Sequence, residues 1–302
     1  MPKPLLTTLA LLVLLCAPCA AAPAGQEAGE VPFTFEKGYV IVAGTIKGKE
    51  PAEFVVSTGA TNTTLDTGML EKHKLKIFYT GVGVMTGFTD PTVSFATVPD
   101  VRVGPASAAS INARLGSTAE VSKLVGRAIS GTLGYDFFKG RTVQLDFGKR
   151  VMRFLDREAA EALRARAAGA GEAAAVFPMG EGKDMFEQPL SLPVVEKVSF
   201  DGKTARVLLA TGVPAVIALA PAAAKKLGME VPPEGATPRR VSVGELRLGA
   251  LKFTGVPAVV YPKGAGAEER LGAAGALAGT AFLQNFVATF DFRGKVVVLE
   301  RL

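Results

Sequence analysis

The chain contains an internal repeat, and this feature restricts its possible folds more than any other. Residues 134–151 match residues 279–296 without a gap, at a constant spacing of 145 residues. Identical pairs within the match include Gly134 with Gly279, Phe137 with Phe282, and Asp146 with Asp291. Further upstream, residues 54–59 match 207–212 at a spacing of 153, which implies an insertion of about eight residues in one copy. We therefore predict two related lobes, each built from one copy.

The local pattern of the sequence is typical of β-strands. Short runs of Val, Ile, Phe and Thr, broken by Gly, Pro and Asp, make up most of the chain. The clearest predicted strands lie at 39–46, 53–57, 142–147 and 295–299. Helical periodicity is confined to 67–75, 157–168 and 221–227. The sequence therefore predicts an all-β fold class with a few short helices.

The repeat and the local composition together predict the domain boundaries. Residues 157–175 are rich in Ala, Glu, Arg and Gly and contain few large apolar side chains, as expected of a short helix followed by a linker. We predict a signal peptide at 1–24, an N-terminal lobe at 31–156, a linker at 157–175 and a C-terminal lobe at 176–302.

The first residues have the pattern of an export signal. Lys3 precedes an apolar run at 5–15, and small residues follow at 20–24. The run is shorter than the roughly 20 residues that a spanning helix needs, and no later segment is comparable, so no transmembrane segment is predicted. Cys16 and Cys19 both lie in this leader, and their neighbours are unsuited to lipoprotein processing. We expect a secreted or periplasmic protein without disulfides and without a lipid anchor.

Charge and ligand chemistry exclude several functions. The formal net charge is +6, the basic residues are scattered, and no aromatic residues alternate with them, so no nucleic-acid partner is predicted. The single histidine, His73, lies between two lysines on a helix that we expect to be exposed. Without clustered His and Cys residues, the sequence predicts no metal site and no cofactor.

Both copies contain a turn of the form x-Thr-Gly after an apolar strand. The first copy reads Ser57-Thr58-Gly59-Ala60-Thr61 and the second reads Ala210-Thr211-Gly212. Together with the following strand, short helix and Gly-rich hairpin, this order resembles the aspartic peptidases of the pepsin and retropepsin type. The resemblance spans 33–155 and 190–302. It implies two retropepsin-like (acid-protease) lobes related by a pseudo-two-fold axis, packed in cis in a monomer.

The resemblance also implies a cleft between the lobes that holds an extended peptide or protein segment. The residues then expected to bind this ligand are Thr58, Gly59, Ala60, Thr61, Thr211 and Gly212, together with Gly81 and Gly83 of a hairpin that resembles the family's flap. A plain surface hairpin is the alternative interpretation of the two flap glycines.

Hydrolysis in that family requires one carboxylate from each turn. Two acids about 3 Å apart share one proton and act together as base and acid on a water molecule. Here Ser57 and Ala210 occupy the two positions, so neither turn supplies a carboxylate. We therefore predict that no catalytic pair is intact and that the protein binds peptides without cutting them.

The sequence permits other interpretations of its acidic residues and of the whole chain. Asp66 belongs to an Asp-Thr-Gly triplet, which we interpret as a helix N-cap with Glu71 following; the alternative is a shifted catalytic turn in an active aspartic endopeptidase. A third possibility is a structural or assembly component of the cell envelope whose cleft is filled by its own side chains.

A serine mechanism at Ser57 is disfavoured because His73 is the sole candidate base. We interpret Asp146 and Asp291 as structural residues of hairpins.

Overall fold

The structure is a computed structural model, and it describes residues 28–85, 88–184, 186–267, 271 and 274–302. The predicted signal peptide, with Cys16 and Cys19, lies outside these residues. The described chain consists mainly of strands with a few short helices, which confirms the all-β fold class.

Among the described residues, the N-terminal half contains these strands: β1 (Gly29–Glu36), β2 (Tyr39–Ile46), β3 (Glu50–Val56), β4 (Thr64–Asp66), β5 (Ile77–Met85), β6 (Phe88–Val103), β7 (Ala106–Gly116), β8 (Gly131–Leu133), β9 (Thr142–Asp146) and β10 (Val151–Leu155). The C-terminal half contains β11 (Ala174–Pro178), β12 (Gly180–Lys183), β13 (Pro189–Leu192), β14 (Val194–Phe200), β15 (Lys203–Leu209), β16 (Ile217–Leu219), β17 (Arg239–Leu248), β18 (Leu251–Val260), β19 (Gly275–Ala278), β20 (Phe286–Asp291) and β21 (Val296–Arg301). The described helices are α1 (Met69–His73), α2 (Ala119–Val125), α3 (Tyr135–Phe138), α4 (Arg157–Ala168), α5 (Pro221–Leu227) and α6 (Thr280–Leu283).

Each lobe is built around a six-stranded barrel. In the N-terminal lobe the order is β2-β3-β8-β4-β7-β6, and pairing of β2 with β6 closes the barrel at Thr45 and Arg102. In the C-terminal lobe the closed order is β14-β15-β19-β16-β18-β17. The matching orders confirm the duplicated lobe. Large aromatic side chains fill the interiors, and Phe54, Phe137 and Phe200 are among the fully buried ones.

A second sheet joins the two lobes, in the order β11-β21-β20-β9-β10-β1. Its central pair, β9 and β20, is antiparallel, and Gln144 lies opposite Thr289. These two residues are 145 positions apart, so each is the repeat equivalent of the other, and their side chains form a hydrogen bond of 3.0 Å. The pseudo-two-fold axis therefore passes through this pair.

The hairpins that flank this central pair are closed by equivalent aspartates. The Asp146 carboxylate accepts the amide of Lys149 at 2.9 Å, and the Asp291 carboxylate accepts the amide of Gly294 at 2.8 Å. Each carboxylate is buried and also lies within ion-pair distance of an arginine. The structural role predicted for both aspartates is confirmed.

Helix α4 connects the lobes and has the bounds that the sequence predicts. Asp156 caps its first turn, accepting the amide of Ala159 at 2.8 Å. The predicted linker at 157–175 overlaps the next strand, because β11 begins at Ala174 and pairs with β21. Helix α5 also has its predicted bounds, and α1 is shorter than the predicted 67–75.

Candidate binding site at the lobe junction

Each x-Thr-Gly turn begins where an inner strand of its barrel ends. Strands β3 and β15 stop immediately before Ser57 and Ala210. The Ser57 amide donates to the carbonyl of Leu133 at 3.0 Å, and the Ala210 amide donates to the carbonyl of Ala278 at 2.9 Å. The two turns are therefore held in their own lobes by equivalent bonds.

Reciprocal hydrogen bonds connect the two turns across the junction. The Thr58 hydroxyl donates to the Leu209 carbonyl at 3.0 Å and accepts the Thr211 amide at 3.2 Å. The Thr211 hydroxyl donates to the Val56 carbonyl at 2.7 Å and accepts the Thr58 amide at 3.1 Å. Both threonines are fully buried. A contribution of these side chains to ligand binding would therefore come from fixing the turns and not from direct contact.

The glycine of each turn lies against the first residue of the other turn. A Cβ atom on Gly59 would stand 2.8 Å from the Ala210 methyl group, and a Cβ atom on Gly212 would meet the Ser57 hydroxyl. Side chains at these two glycines would collide with the opposite turn, which explains why both are glycine. Ser57 and Ala210 are themselves buried, so the centre of the junction holds a hydroxyl and a methyl group.

His73 is buried, and the prediction of an exposed histidine is wrong. It lies one turn after Met69 on α1, so both side chains point from the same helix face into the lobe. Its Nε2 atom has no hydrogen-bond partner among the described residues. Burial lowers the pKa of His73, and the charge of Lys72 lowers it further, against the opposing charge of Glu50. His73 therefore forms no hydrogen bond with Ser57 through Nε2.

Asp66 does not cap α1, and this prediction is wrong as well. It is the last residue of β4, whereas α1 begins at Met69 without a side-chain cap. The Asp66 carboxylate accepts the Gly68 amide and both the amide and the hydroxyl of Thr118, each at 2.9 Å. Burial alone would raise the pKa of Asp66, but these hydrogen bonds hold it below its usual range.

The position of Asp66 also separates it from the two turns. Its amide bonds the Ser130 carbonyl, and the Ser130 amide bonds the carbonyl of Glu53. Asp66 is therefore level with Glu53, which precedes Ser57 by four residues on β3, or about 13 Å along the strand. A carboxylate in this place ties β4 to the start of α2 and does not face the opposite lobe.

One carboxylate near the first turn was missed at the sequence level. Asp136 accepts the amide of Thr63 at 2.8 Å and its hydroxyl at 2.6 Å, so it fixes the loop that follows the turn. In the same loop, the carbonyl of Ala60, which directly follows Gly59, accepts the amide of Tyr135 at 2.9 Å. Burial raises the pKa of Asp136, against the effect of the Thr63 bonds. Its repeat equivalent is Ala281. This difference between the copies was the feature of the sequence that could have singled out Asp136.

The Gly-rich hairpin is formed by β5 and β6 of the N-terminal lobe. Gly81 pairs with Val93 and Gly83 pairs with Asp90, so both glycines that were expected to line the flap lie in this hairpin. A Cβ atom on Gly81 would stand 2.8 Å from the ring of Tyr79, which packs over it. The flap thus presents an aromatic side chain at its base.

A second hairpin, which we call the strap, reaches this aromatic residue from the other lobe. The strap comprises β12, β13 and the turn residues 184 and 186–188. Phe186 places its ring edge-on to Tyr79, at 5.9 Å between centroids, and edge-on to Phe95, at 5.2 Å. Part of the expected cleft is therefore occupied by the chain itself.

A cavity of about 260 Å³ remains between the strap and the first turn. Gly59 and Thr61 line it from the turn, and the strap contributes Lys183, Leu190 and Leu192. Three nearby charged pairs are closed: Lys183 with Glu187, Arg206 with Glu196, and Lys295 with Glu181. The cavity therefore offers apolar side chains and backbone groups, with its charges already paired.

Two further classes of feature are not found in the described ranges. No cluster of His, Cys, Asp or Glu there could hold a metal ion. No helix there has both the length and the apolar composition to cross a bilayer.

Comparison with known proteins agrees with this geometry. Residues 42–137 match a family model described as aspartyl protease. No curated protein matches the sequence. Among solved structures, the chain is similar to an aspartic proteinase from Irpex lacteus, with a TM-score of 0.51 and 15% identity over 91% of this chain and 97% of that chain. The family match includes the first turn and the flap, and the structural match extends over both lobes. The chain therefore has the fold of the pepsin- and retropepsin-type aspartic peptidases.

Proposed function

We propose that this protein is exported and that it binds extended peptide segments between its lobes without hydrolysing them. The observation that carries the proposal is the pairing of Ser57 with Gly212 and of Ala210 with Gly59 at the junction. This architecture activates water through two carboxylates that share a proton. A hydroxyl and a methyl group in those places offer neither the acid nor the base.

The retained features support binding. The four bonds of Thr58 and Thr211 preserve the turns although the acids are missing, and a cavity remains beside Gly59. The cavity of about 260 Å³ is below the range of about 300–1,000 Å³ that is typical for whole small-molecule ligands. It suits one large side chain of a peptide whose backbone lies in extended form along the cleft.

A peptide library tests the binding function. Thermal shift of the mature protein should reveal stabilising peptides, because a ligand that binds only the folded state raises Tm. Peptides with the same composition in scrambled order are the control. Absence of stabilisation by every peptide, and by proteins from the same compartment, would contradict the proposal.

A second experiment tests the absence of hydrolysis. The mature protein is incubated with denatured casein from acid to neutral pH, with and without pepstatin. We expect no cleavage in any condition. Pepstatin-sensitive cleavage that disappears in Asp66→Asn would instead establish an active aspartic endopeptidase.

Export is tested separately. The full chain should yield a shortened protein outside the cytoplasm, with a new N-terminus near residue 24 of the leader. Retention of Met1 in the extracytoplasmic protein would argue against cleavage of a signal peptide.

One observation favours a second candidate, a structural or assembly component with a closed cleft. The strap already contacts the flap through Phe186. If the strap is permanent, no peptide will compete with it, and the experiments on the strap below separate the two candidates.

A further inference from the structure

The strap is a lengthened version of the hairpin that β1 and β2 form in the N-terminal copy. Pro32 opposite Val151 and Pro178 opposite Val296 occupy equivalent positions in the sheet between the lobes. The N-terminal copy then reaches Ile41 of its barrel after nine residues, whereas the C-terminal copy needs sixteen to reach the equivalent Val194. The seven additional residues make the strap longer than its N-terminal equivalent.

The turn of the strap is ordered by one carboxylate. Asp184 accepts the amides of Phe186 and Gln188, each at 2.8 Å. Lys183 and Glu187 close the turn with an ion pair of 2.7 Å. These bonds are local to the strap, so they fix the direction in which Phe186 is presented without attaching it to either barrel.

The attachment comes from an aromatic socket on the flap. We define the socket as Tyr79 on β5 and Phe95 on β6, whose rings meet edge-on at 6.1 Å. Phe95 is fully buried and forms the floor, and the partly exposed Tyr79 forms the wall. Phe186 contacts both rings edge-on, which is the favourable geometry for aromatic pairs.

The two strands of the strap pair with neither barrel. β12 and β13 pair only with each other and form an isolated two-stranded sheet, and such hairpins are marginally stable in water. Leu190 is buried and Leu192 packs against an apolar cluster of the C-terminal lobe, and both side chains border the cavity. The edge-on contacts of Phe186 with Tyr79 and Phe95 join the strap to the flap of the opposite lobe.

We propose that the strap is an internal occupant of the cleft and that the external ligand is an extended peptide whose aromatic side chain replaces Phe186 in the socket of Tyr79 and Phe95. The inference rests on the proposed peptide-binding function and adds to it a ligand class and a form of regulation. A peptide without an aromatic residue cannot displace the strap. The strap therefore restricts binding to peptides that contain an aromatic residue.

The probe for the test is a fluorescein-labelled peptide with the sequence of residues 181–190, and its control has Ala in place of Phe. Fluorescence anisotropy measures binding to the mature protein and to F186A. Removing the internal competitor should strengthen binding of the Phe peptide by about tenfold or more. The apparent affinity is proportional to the fraction of molecules whose socket is free, and F186A raises this fraction. The Ala peptide should bind F186A at least about tenfold more weakly than the Phe peptide.

Two further variants serve as matched controls. Leu124→Ala removes a half-exposed apolar side chain from α2, outside the flap, and should leave binding unchanged. Tyr79→Ala removes the socket wall and should abolish tight binding of the Phe peptide in the F186A background. If circular dichroism shows that F186A is unfolded, Asp184→Ala, which releases the turn while keeping Phe186, should raise the affinity in its place.

The outcomes separate this inference from the proposed function. Equal binding of the Phe peptide to the wild type and to F186A would overturn the inference, as would equal binding of the Phe and Ala peptides. If library peptides without aromatic residues bind both proteins alike, the proposed function stands and the inference fails. If no peptide binds any folded variant, the inference is overturned, and the failure extends to the proposed function when the library screen is also negative.

Discussion

Replacing Thr211 by Val measures how strongly the bonds between the turns stabilise the molecule. Valine keeps the branched shape and deletes the hydroxyl, so the Val56 carbonyl loses its donor and the Thr58 amide loses its acceptor. Both groups are buried, and an unsatisfied buried donor or acceptor costs about 1–3 kcal/mol. We expect T211V to lower the free energy of unfolding by about 2–6 kcal/mol. At about 2–4 °C per kcal/mol, Tm should fall by about 10 °C.

Calorimetry of the purified mature protein measures this change. Thr58→Val should give a similar loss, because the symmetric pair of bonds disappears. Thr45→Val is the matched control, since the Thr45 hydroxyl is buried and has no partner among the described residues. That variant should keep or raise Tm. A loss smaller than about 1 kcal/mol at either turn, or an equal loss at Thr45, would refute the reasoning.

Three further predictions concern protonation, chemistry and steric fit. Because burial lowers the pKa of His73, the folded state resists its protonation, so stability should be full above the unfolded pKa of about 6.5 and should fall as pH drops below it. Urea unfolding from pH 7 to 5 should show a shallower fall in His73→Gln, and equal slopes would contradict this. The double variant Ser57→Asp/Ala210→Asp should gain pepstatin-sensitive cleavage of denatured casein near pH 4, while each single variant stays inactive; a folded but inactive double variant would show that the turns no longer support catalysis. Gly212→Ala should lower Tm because its methyl group meets the Ser57 side chain, and Ser57→Gly in the same chain should restore part of the loss; no restoration would place the clash elsewhere.

Much of the fold could be predicted because the duplication is visible in the sequence. The constant spacing of 145 residues predicted a pseudo-two-fold, and the pairing of Gln144 with Thr289 is its consequence in the sheet. Helix α4 was predicted with correct bounds from its local periodicity, and the structure shows Asp156 capping its start and Gly169 following its last residue. Local rules succeeded where the determining residues are neighbours in sequence.

The failures at the site have a different physical origin. His73 was judged by the lysines beside it, although a spacing of four residues from Met69 places it on the buried face of α1. Asp66 was judged by its place before a predicted helix, but its partner Thr118 lies in a loop fifty-two residues later. The strap carries no regular apolar alternation, and its anchor, Phe186, meets Tyr79 only after both lobes have formed. Contacts between distant residues decide these three cases.

The sheet between the lobes has a consequence for the order in which the chain can fold. Strands β1, β10 and β9 are all present once about half of the chain has emerged, but the partner of β9 is β20, near the C-terminus. Until that strand arrives, β9 has an open hydrogen-bonding edge, which can pair with another chain. Because β9 meets its natural partner symmetrically about Gln144, the same strand from a second unfinished molecule fits in the same register. Truncated or stalled chains should therefore associate in pairs through this edge.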